Sequence, residues 1–244
     1  MGSIIKKTKW LFWVIKEYFE IKKQLKNNKD FRITKFLPII SDKFDSSWVV
    51  KWAYFHQDLL IARKIFENKP IKHVDIWSRI DGFVAHVAVF RKIEVFDIRA
   101  LENKVENIHF RQADLMKLDE DLINYCDSIS ALSVIEHFGL WRYWDKINSN
   151  WDIEWLDNIY KILKKWGTFY FSAPIWPQRI EFNAHRAYSI QHLLDIFKDK
   201  YIVNSFAYTD DNWDLHKNIT LDQKHIKNNC NCNFWHWIFE LTKI

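Results

Sequence analysis

Short apolar segments alternate with helix-like segments from residue 72 to the end of the chain. Seven segments have the composition of strands: "KHVDI" (72–76), "IEVFDI" (93–98), "NIHFRQADL" (107–115), "CDSISALSV" (126–134), "GTFYFSAPI" (167–175), "YIVNSFAY" (201–208) and "NFWHWIFELTK" (233–243). Helical spacing of apolar residues separates several of them, in "GFVAHVAVFRK", "DIEWLDNIYKILKK" and "SIQHLLDIFKD". Strands that alternate with helices predict a mostly parallel sheet with helices on both faces.

The end of the chain departs from this alternation. The last two predicted strands follow each other without a clear helix and are joined by a long loop, which predicts an antiparallel pair at one edge of the sheet. No internal repeat or low-complexity linker interrupts the region, so we expect one α/β domain over residues 51–244. Residues 1–50 are expected to form an N-terminal amphipathic helix and a linker.

Composition is that of a folded protein, since 48% of the residues are apolar and 27% are charged. No apolar run reaches the roughly 18 residues of a membrane span, and no signal-peptide pattern is present, so a cytoplasmic location is expected. The three cysteines are too few and too clustered for a disulfide framework.

The positive charge is concentrated at the N-terminus. Residues 1–30 hold eight lysines against three acidic residues, and so carry the whole net charge of +5. Because the rest of the chain is neutral, nucleic-acid binding is not expected. The segment "KKTKWLFWVIKEYFEIKKQLK" is typical of an amphipathic helix, either packed on the body or lying peripherally on an anionic membrane surface. We favour packing, because Glu17 and Glu20 dilute the basic face. No obligate protein partner is inferred.

Glycine and tryptophan occur in unusual numbers. The chain has 4 Gly and 14 Trp, whereas average usage would give about 17 Gly at this length. Several tryptophans stand in turn or helix-stop contexts that suit glycine, namely Trp77, Trp151, Trp166, Trp176 and Trp213. Some bacterial codes read UGA as glycine and others as tryptophan, so we hypothesise that many of these residues are glycine in the native protein. The alternative is a genuinely Trp-rich chain that uses its aromatic residues in the core or as a stacking surface.

The order of strands and acidic residues resembles that of a class I S-adenosylmethionine-dependent methyltransferase. Asp75 closes the first strand, Asp97 closes the second, Asp114 follows the third, "SVIEHF" follows the fourth and "LKKWGTFYFSAPI" contains the fifth. The resemblance covers about residues 50–244. Within that class, the chain is similar to an uncharacterised subgroup, the domain of unknown function 268 family, in "YFHQD", "VDIWSRIDGFVAHV", "EHFGLWRYWD" and "IEFNAHRAYS". In that family several of the Trp positions are glycine.

This resemblance implies a Rossmann-like methyltransferase fold with a seven-stranded, mostly parallel sheet and an antiparallel edge strand. It also implies S-adenosylmethionine as the cofactor, held by residues after the first three strands: Asp75, Trp77, Ser78, Gly82, Asp97, Asp114 and Leu115. Asp97 lies 22 residues after Asp75, near the spacing of about 20 at which an acid accepts hydrogen bonds from ribose hydroxyls. Asp114 and Leu115 are expected at the adenine edge.

Acceptor chemistry is expected in the loops after the fourth and fifth strands. His137 and Glu136 are the candidate catalytic residues, with His137 as general base because its usual pKa suits that role. Candidate substrate-binding residues are His56, Arg142, Glu181, His185 and Arg186. The predicted function is methyl transfer to a small or saccharide-type acceptor. The alternative is a non-catalytic Rossmann-like binding or scaffold protein, with a role such as surface-polysaccharide assembly.

A zinc site is not expected. Cys230, Cys232 and His236 lie close together in the sequence, but they lack a fourth ligand at any standard spacing. The segment is better interpreted as a loop that leads into the last strand.

Overall fold

The structure is a computed structural model. It describes residues 2–27, 33–38, 53–143, 145–175, 177–232 and 235–244. Trp176, one of the tryptophans in a glycine-like context, lies outside the described residues. The chain forms two compact units, Met1–Val50 and Lys51–Ile244, and each is described by itself.

The first unit contains the expected N-terminal helix. Helix α1 spans Gly2–Gln24 and is followed by one 3-10 turn, Leu25–Asn27. Phe12 and Phe19 of this helix are 68% and 62% exposed. Among the described residues, no helix combines the length and the apolar character needed to span a membrane.

The second unit is built on one eight-stranded sheet. Its strands are β1 (His73–Ile76), β2 (Ile93–Asp97), β3 (Ile108–Gln112), β4 (Cys126–Leu132), β5 (Leu163–Ile175), β8 (Tyr201–Thr209), β9 (Leu215–His216) and β10 (Trp235–Lys243). The strand order is β3-β2-β1-β4-β5-β10-β8-β9. A separate antiparallel hairpin is formed by β6 (Arg179–Glu181) and β7 (His185–Ala187).

Strand directions agree with the sequence prediction in most respects. β1 to β5 pair in parallel, and β10 pairs antiparallel with both β5 and β8. The sheet has eight strands where seven were predicted, because the two-residue strand β9 adds an edge strand. No apolar run in the sequence indicates this strand. The main antiparallel strand, β10, therefore lies inside the sheet and β9 forms the edge.

Helices cover both faces of the sheet, as predicted. They are α2 (Ala53–Asn68), α3 (Ala85–Ala88), α4 (Trp151–Ile162), α5 (Ile190–Phe197) and α6 (Gln223–Lys227). One buried apolar cluster includes Trp155 of α4 and Phe197 of α5; a second includes Ile61 and Ile65 of α2. The central strands β1 and β4 are buried, and the polar side chains that they carry hydrogen-bond to one another, namely His73, Asp75, Ser128 and Ser130.

The carboxyl ends of the parallel strands lie at one edge of the sheet. β1 has β2 on one side and β4 on the other, so the chain leaves β1 in one direction and later returns to its opposite side. The loops diverge there and leave a crevice, which is where open α/β sheets bind ligands.

Candidate functional site

A cavity of about 360 Å³ lies at the carboxyl ends of β1 and β4. This volume is near the lower end of the range of about 300–1,000 Å³ for small-molecule sites. Its wall is formed by α2 and by the loops after β1, β2 and β4: Tyr54, Gln57, Asp58, Trp77, Ser78, Arg79, Asp81, Gly82, Phe83, Arg99, Leu132, Ser133, Val134, His137, Arg142 and Tyr143. Four predicted cofactor or catalytic residues are among them: Trp77, Ser78, Gly82 and His137.

Asp75 holds the loop after β1 in place through hydrogen bonds to its buried carboxyl group. It is fully buried, and its carboxylate accepts hydrogen bonds from the Ser78 backbone N–H (3.0 Å), the Ser78 hydroxyl (2.8 Å) and the Ser130 hydroxyl (2.5 Å). Burial raises the pKa of Asp75 to about 7. Asp75 therefore fixes the turn that carries Ser78 into the cavity wall and does not line the cavity itself.

Trp77 is the first residue of that turn. Its backbone N–H donates to the Phe96 carbonyl (3.0 Å), and its φ is 62°, in the left-handed region. The indole ring packs 4.7 Å from the Phe138 ring and 6.2 Å from the Tyr143 ring, and the Arg99 guanidinium lies 5.7 Å from its centre. The side chain thus forms one wall of the cavity.

Gly82 allows helix α2 to approach the same loop. A Cβ atom at this position would lie 3.0 Å from Asp58 Oδ2. Asp58 accepts a hydrogen bond from the Gln57 amide (3.2 Å), and burial raises its pKa to about 6. Gln57 also accepts from the Ser172 hydroxyl (2.5 Å), so this end of α2 is fastened to the ends of the central strands.

Asp97 lies at the expected end of β2, but its carboxylate is engaged. Arg99 donates to it from the backbone N–H (2.8 Å), from Nε (3.0 Å) and from Nη2 (2.6 Å). The Asp97 side chain is 12% exposed and that of Arg99 is 63% exposed. Arg99, not Asp97, faces the cavity. Sequence reasoning missed Arg99, although a cation two residues after the ribose-binding candidate is a readable signal.

Asp114 and Leu115 do not line the cavity. Asp114 acts as a turn former, since its Oδ1 accepts from the Met116 backbone N–H (3.0 Å). Leu115 is 4% exposed and belongs to the core, and its carbonyl accepts from the Asn158 amide (2.8 Å). The structure therefore places the Leu115 side chain under α4, because an apolar side chain at this point packs into the core, and the adenine contact stays a prediction.

The loop after β4 carries the catalytic candidates. Glu136 and His137 lie in a 3-10 turn, Ile135–His137. The Ala184 carbonyl accepts hydrogen bonds from His137 Nδ1 (2.9 Å) and from Arg142 Nη1 (2.6 Å). Arg142 Nη1 also lies 3.2 Å from His137 Nδ1, and His137 Nε2 faces Glu136 Oε1 at 3.7 Å.

Burial sets the protonation of this pair. Glu136 is 1% exposed, and its Oε2 has no hydrogen-bond partner within the described part of the chain. Burial raises the pKa of Glu136 to about 8. Burial, and secondarily the charge of Arg142, lowers the pKa of His137 to about 4. At neutral pH the imidazole is thus neutral and the carboxyl group holds a proton, and the deprotonated Glu136 is the stronger base of the two.

His236 is a neighbour of this pair that sequence reasoning considered only as a zinc ligand. It is 7% exposed, and its Nε2 has no hydrogen-bond partner among the described residues. Its ring packs 4.9 Å from the Tyr54 ring. Burial, and then the proximity of His137 and His185, lowers the pKa of His236 to about 4. His236 lies at the start of β10, which pairs antiparallel with β5 and therefore lies beside the carboxyl end of β5. This position is the feature that could have identified it from the sequence.

The β6–β7 hairpin brings two predicted substrate residues to this side. Glu181 and His185 are paired across it, with Glu181 Oε2 3.3 Å from His185 Nε2. Glu181 also accepts hydrogen bonds from the Arg179 guanidinium (2.7 and 2.9 Å). Since Ala184 of the same hairpin accepts from His137, the hairpin lies next to the catalytic candidates.

Arg186 has a different position from the one predicted. It is 5% exposed, and its guanidinium donates to the carbonyls of Phe138, Asn148 (3.2 Å) and Ser149 (3.3 Å). Its Nε lies 3.7 Å from Asp152 Oδ2. Its donors are directed at backbone, so Arg186 fastens the loop after β4 and does not reach the cavity.

His56 is also directed away from the cleft. It lines a separate cavity of about 740 Å³, together with Arg63, Phe66, Glu67, His86 and Phe90 among others. Successive residues of a helix point in different directions, so Gln57 and Asp58 face the site cavity while His56 does not.

No metal site is evident in the part of the chain that the structure describes. Its His, Cys, Asp and Glu residues include no group of three or more that could hold an ion. Cys126, Cys230 and Cys232 are free thiols.

Comparison with protein families gives one match to this chain. Residues 70–244 match the family described as "Caenorhabditis protein of unknown function, DUF268". This match covers more than half of the chain. No curated protein matches the chain.

Many solved structures have a similar fold. The 1,6-didemethyltoxoflavin-N1-methyltransferase of Burkholderia thailandensis is 12% identical, with a TM-score of 0.55 and coverage of 80% of each chain. The cyclase SpnF is 10% identical, with a TM-score of 0.53 and coverage of 77% of this chain and 80% of its own. The N-methyltransferase NodS of Bradyrhizobium japonicum, in complex with S-adenosylhomocysteine, is 10% identical, with a TM-score of 0.50 and coverage of 77% and 85%. At these identities the likeness shows the fold, and it confirms the predicted Rossmann-like methyltransferase fold.

Proposed function

This chain belongs to the DUF268 family, and we propose that it is an S-adenosylmethionine-dependent methyltransferase. The observation that carries the proposal is the cavity at the carboxyl ends of β1 and β4, where Ser78, Gly82 and Asp58 meet. This is the switch point at which sheets of this type bind nucleotide ligands. The methyltransferases described above share the fold, and NodS holds S-adenosylhomocysteine.

The residues present fit such a cofactor on most sides of the cavity. Gly82 keeps the space that a Cβ would fill against Asp58, and Ser78 presents a hydroxyl on a loop fixed by Asp75. Asp97 would accept hydrogen bonds from the ribose hydroxyls once Arg99 swings outward, a movement favoured by the high exposure of the Arg99 side chain. S-adenosylmethionine supplies an electrophilic methyl group on a sulfonium.

The protein's part in methyl transfer is to orient the acceptor and to remove its proton, without a covalent enzyme intermediate. We assign proton removal to the Glu136–His137 pair, whose shared position is fixed by the hydrogen bond from His137 to the Ala184 carbonyl. The Glu136 carboxylate is the stronger base of the pair, because burial raises its pKa to about 8, and it acts in the ionised fraction of the protein, which grows as pH rises toward 8. Arg142 lies beside it in the cavity wall and would orient the acceptor.

We propose a small or saccharide-type acceptor that presents hydroxyl groups. Glu136 Oε2 and His236 Nε2 are buried polar atoms with no hydrogen-bond partner among the described residues. Buried polar groups are normally satisfied, and hydroxyl groups can donate and accept at once. At neutral pH His137, His236 and Glu136 add no charge to this side, because burial lowers the pKa of both imidazoles and raises the pKa of the carboxyl group. Arg142 in the cavity wall can donate hydrogen bonds to acceptor hydroxyl groups.

Calorimetry with S-adenosylhomocysteine tests the proposal most directly. The titration is best done on the Trp77→Gly variant, in which the cavity wall is open. We expect saturable binding that weakens about tenfold or more on Asp97→Ala. Asp119→Ala is the matched control, because Asp119 pairs with Arg111 and does not line the cavity, and it should leave binding unchanged.

A second function is a non-catalytic binding or scaffold role. It is favoured by the Asp97–Arg99 ion pair and by the Trp77 ring, both of which close the cofactor side of the cavity. A folded Trp77→Gly variant that does not bind S-adenosylhomocysteine would favour this second function over the first.

A further inference from the structure

Four tryptophans have a left-handed backbone conformation. They are Trp77 (φ 62°), Trp141 (φ 63°), Trp166 (φ 65°) and Trp213 (φ 72°). Bulky residues are genuine outliers in this region, whereas glycine enters it without a steric penalty. Of the 13 non-glycine residues with positive φ in the described part of the chain, six are Asn or Asp, which tolerate it, and four are Trp. Tryptophan therefore concentrates at positions whose backbone suits glycine.

The turn at Trp213 shows the requirement most clearly. The hairpin between β8 and β9 is closed by hydrogen bonds from the Trp213 N–H to the Asp210 carbonyl (2.9 Å) and from the Asp210 N–H to the Asp214 carbonyl (3.0 Å). Residues 211–213 thus form a three-residue hairpin loop. In this loop type a turn is followed by one left-handed residue, the position that glycine normally holds.

Trp166 lies in an irregular segment where α4 gives way to β5. The pairing of β4 with β5 shifts register between Cys126 and Ser128, opposite residues 163–168, which leaves residue 166 in a bulge. The Trp166 side chain is 64% exposed. An indole that is mostly in solvent offers little burial to offset an unfavourable backbone conformation.

Trp77 combines the same backbone with a functional position. It follows β1 directly, and its ring occupies the wall of the site cavity between Phe138 and Tyr143. A glycine here would keep the turn and remove the whole side chain from the cavity.

We infer that the functional protein carries glycine at positions 77, 141, 166 and 213, and that glycine at 77 admits the cofactor to the cavity. Translation of UGA as tryptophan, for a gene whose host reads it as glycine, produces this pattern. The first half of this inference, glycine at the four positions, rests on backbone geometry alone. The second half, the admission of the cofactor by glycine at 77, rests on the proposed function. Trp151 is not included, because it begins helix α4 and is absent from the left-handed residues.

Peptide mass spectrometry of the protein from its native host tests the first half directly. The peptides should cover residues 73–91, 141, 166 and 213. We expect glycine at 77, 141, 166 and 213. Tryptophan at these positions would overturn the inference.

Thermal unfolding of the recombinant chain provides a second test. We expect Trp166→Gly and Trp213→Gly each to raise the unfolding midpoint by about 2–4 °C, because a left-handed bulky residue is relieved. Trp151→Gly is the matched control and should lower the midpoint, since glycine is a poor helix residue. Equal loss of stability in all three variants would contradict the inference.

Binding of S-adenosylhomocysteine tests the second half. We expect Trp77→Gly to bind at least about tenfold more tightly than the unchanged chain, with Trp77→Ala between the two because its Cβ keeps the unfavourable turn. Trp213→Gly should leave the affinity unchanged. If Trp166→Gly and Trp213→Gly are stabilised but Trp77→Gly does not bind S-adenosylhomocysteine, the glycine assignment is supported and the cofactor role of position 77 is overturned. If Trp77→Gly binds tightly but the other two variants are not stabilised, the cofactor role is supported and the glycine assignment is overturned.

Discussion

The two halves of the cleft differ in how their buried polar groups are satisfied. In the cofactor half, formed by the loops after β1 and β2, Asp75 accepts from Ser78 and Ser130, and Asp97 accepts three hydrogen bonds from Arg99. These carboxylates have partners within the protein. The loops of this half are therefore fixed before any ligand arrives.

The half proposed for the acceptor, formed by the loop after β4 and the start of β10 and called the acceptor half below, is the opposite. Glu136 Oε2 and His236 Nε2 are buried and have no hydrogen-bond partner among the described residues. Such groups are unfavourable in a folded protein unless a ligand or water completes them. The two halves therefore differ in internal hydrogen bonding: the carboxyl groups beside β1 and β2 are satisfied within the protein, whereas Glu136 Oε2 and His236 Nε2 are not.

The largest effect should come from the anchor beneath the acceptor half. Arg186→Ala leaves Asp152 buried without its cation and frees three backbone carbonyls. Breaking a buried ion pair by removing one partner costs about 3–5 kcal/mol. We expect a loss of that size in the free energy of unfolding, measured by denaturant titration.

Arg179→Ala is the control for this substitution. Arg179 pairs with Glu181, whose side chain is 42% exposed, and such pairs contribute less than about 1 kcal/mol. Equal losses in the two variants would show that Arg186 is not the anchor of the acceptor half.

Glu136 should make stability depend on pH. Burial raises its pKa from 4.5 to about 8, so between these values the unfolded chain releases a proton that the folded chain keeps. The stability from this group is present at low pH and is lost as pH rises through 8. We expect Glu136→Gln to remove this loss, with an advantage that grows by about 1 kcal/mol per pH unit from pH 5 to pH 8.

Denaturant titrations of both proteins at several pH values measure this difference. Glu106→Gln is the control for replacing a carboxyl group by an amide, because Glu106 is exposed and lies outside the cleft. A constant offset for Glu136→Gln would mean that the carboxyl group is solvated, and the contrast between the two halves would disappear.

The fold could be predicted from the sequence because the alternation of strands and helices follows from local composition. Strand-like composition located β1 to β5 and helical periodicity located the helices between them, and the family resemblance implied the mostly parallel sheet. The two-residue strand β9 could not be predicted, because its pairing with β8 depends on a hairpin and not on apolar residues.

The site was only partly predictable, for a reason that particular residues make clear. Ser78, Gly82 and His137 line the cavity because they follow strand ends directly. Arg186 was misplaced because the sequence does not tell whether a guanidinium points at backbone carbonyls or at a cavity. His236 was missed because a strand far along the chain returns beside β5.

Releasing Asp97 should sharpen the description of the cofactor half. Arg99→Gln removes the guanidinium that holds both carboxylate oxygens. We expect S-adenosylhomocysteine to bind about five- to tenfold more tightly, on the order of 1 kcal/mol, since the ribose no longer competes with the ion pair. Arg111→Gln is the control, because Arg111 pairs with Asp119 and Asp121, does not contact Asp97 and does not line the cavity. Weaker binding by Arg99→Gln would assign Arg99 to the ligand instead.

The smallest effect on ligand affinity should come from substitution of His56. The sequence predicted His56 in the cleft, but the structure places it elsewhere. Its side chain lines the separate cavity with Phe66 and His86, so His56→Ala should change the affinity for S-adenosylhomocysteine by less than about twofold. Gln57→Ala, one residue on, removes the acceptor for the Ser172 hydroxyl and the donor to Asp58. It should weaken binding several-fold by loosening that end of α2. If calorimetry gave the larger loss for His56→Ala, the helix would face the cleft through His56, and the assignment of Gln57 and Asp58 to the cavity wall would be wrong.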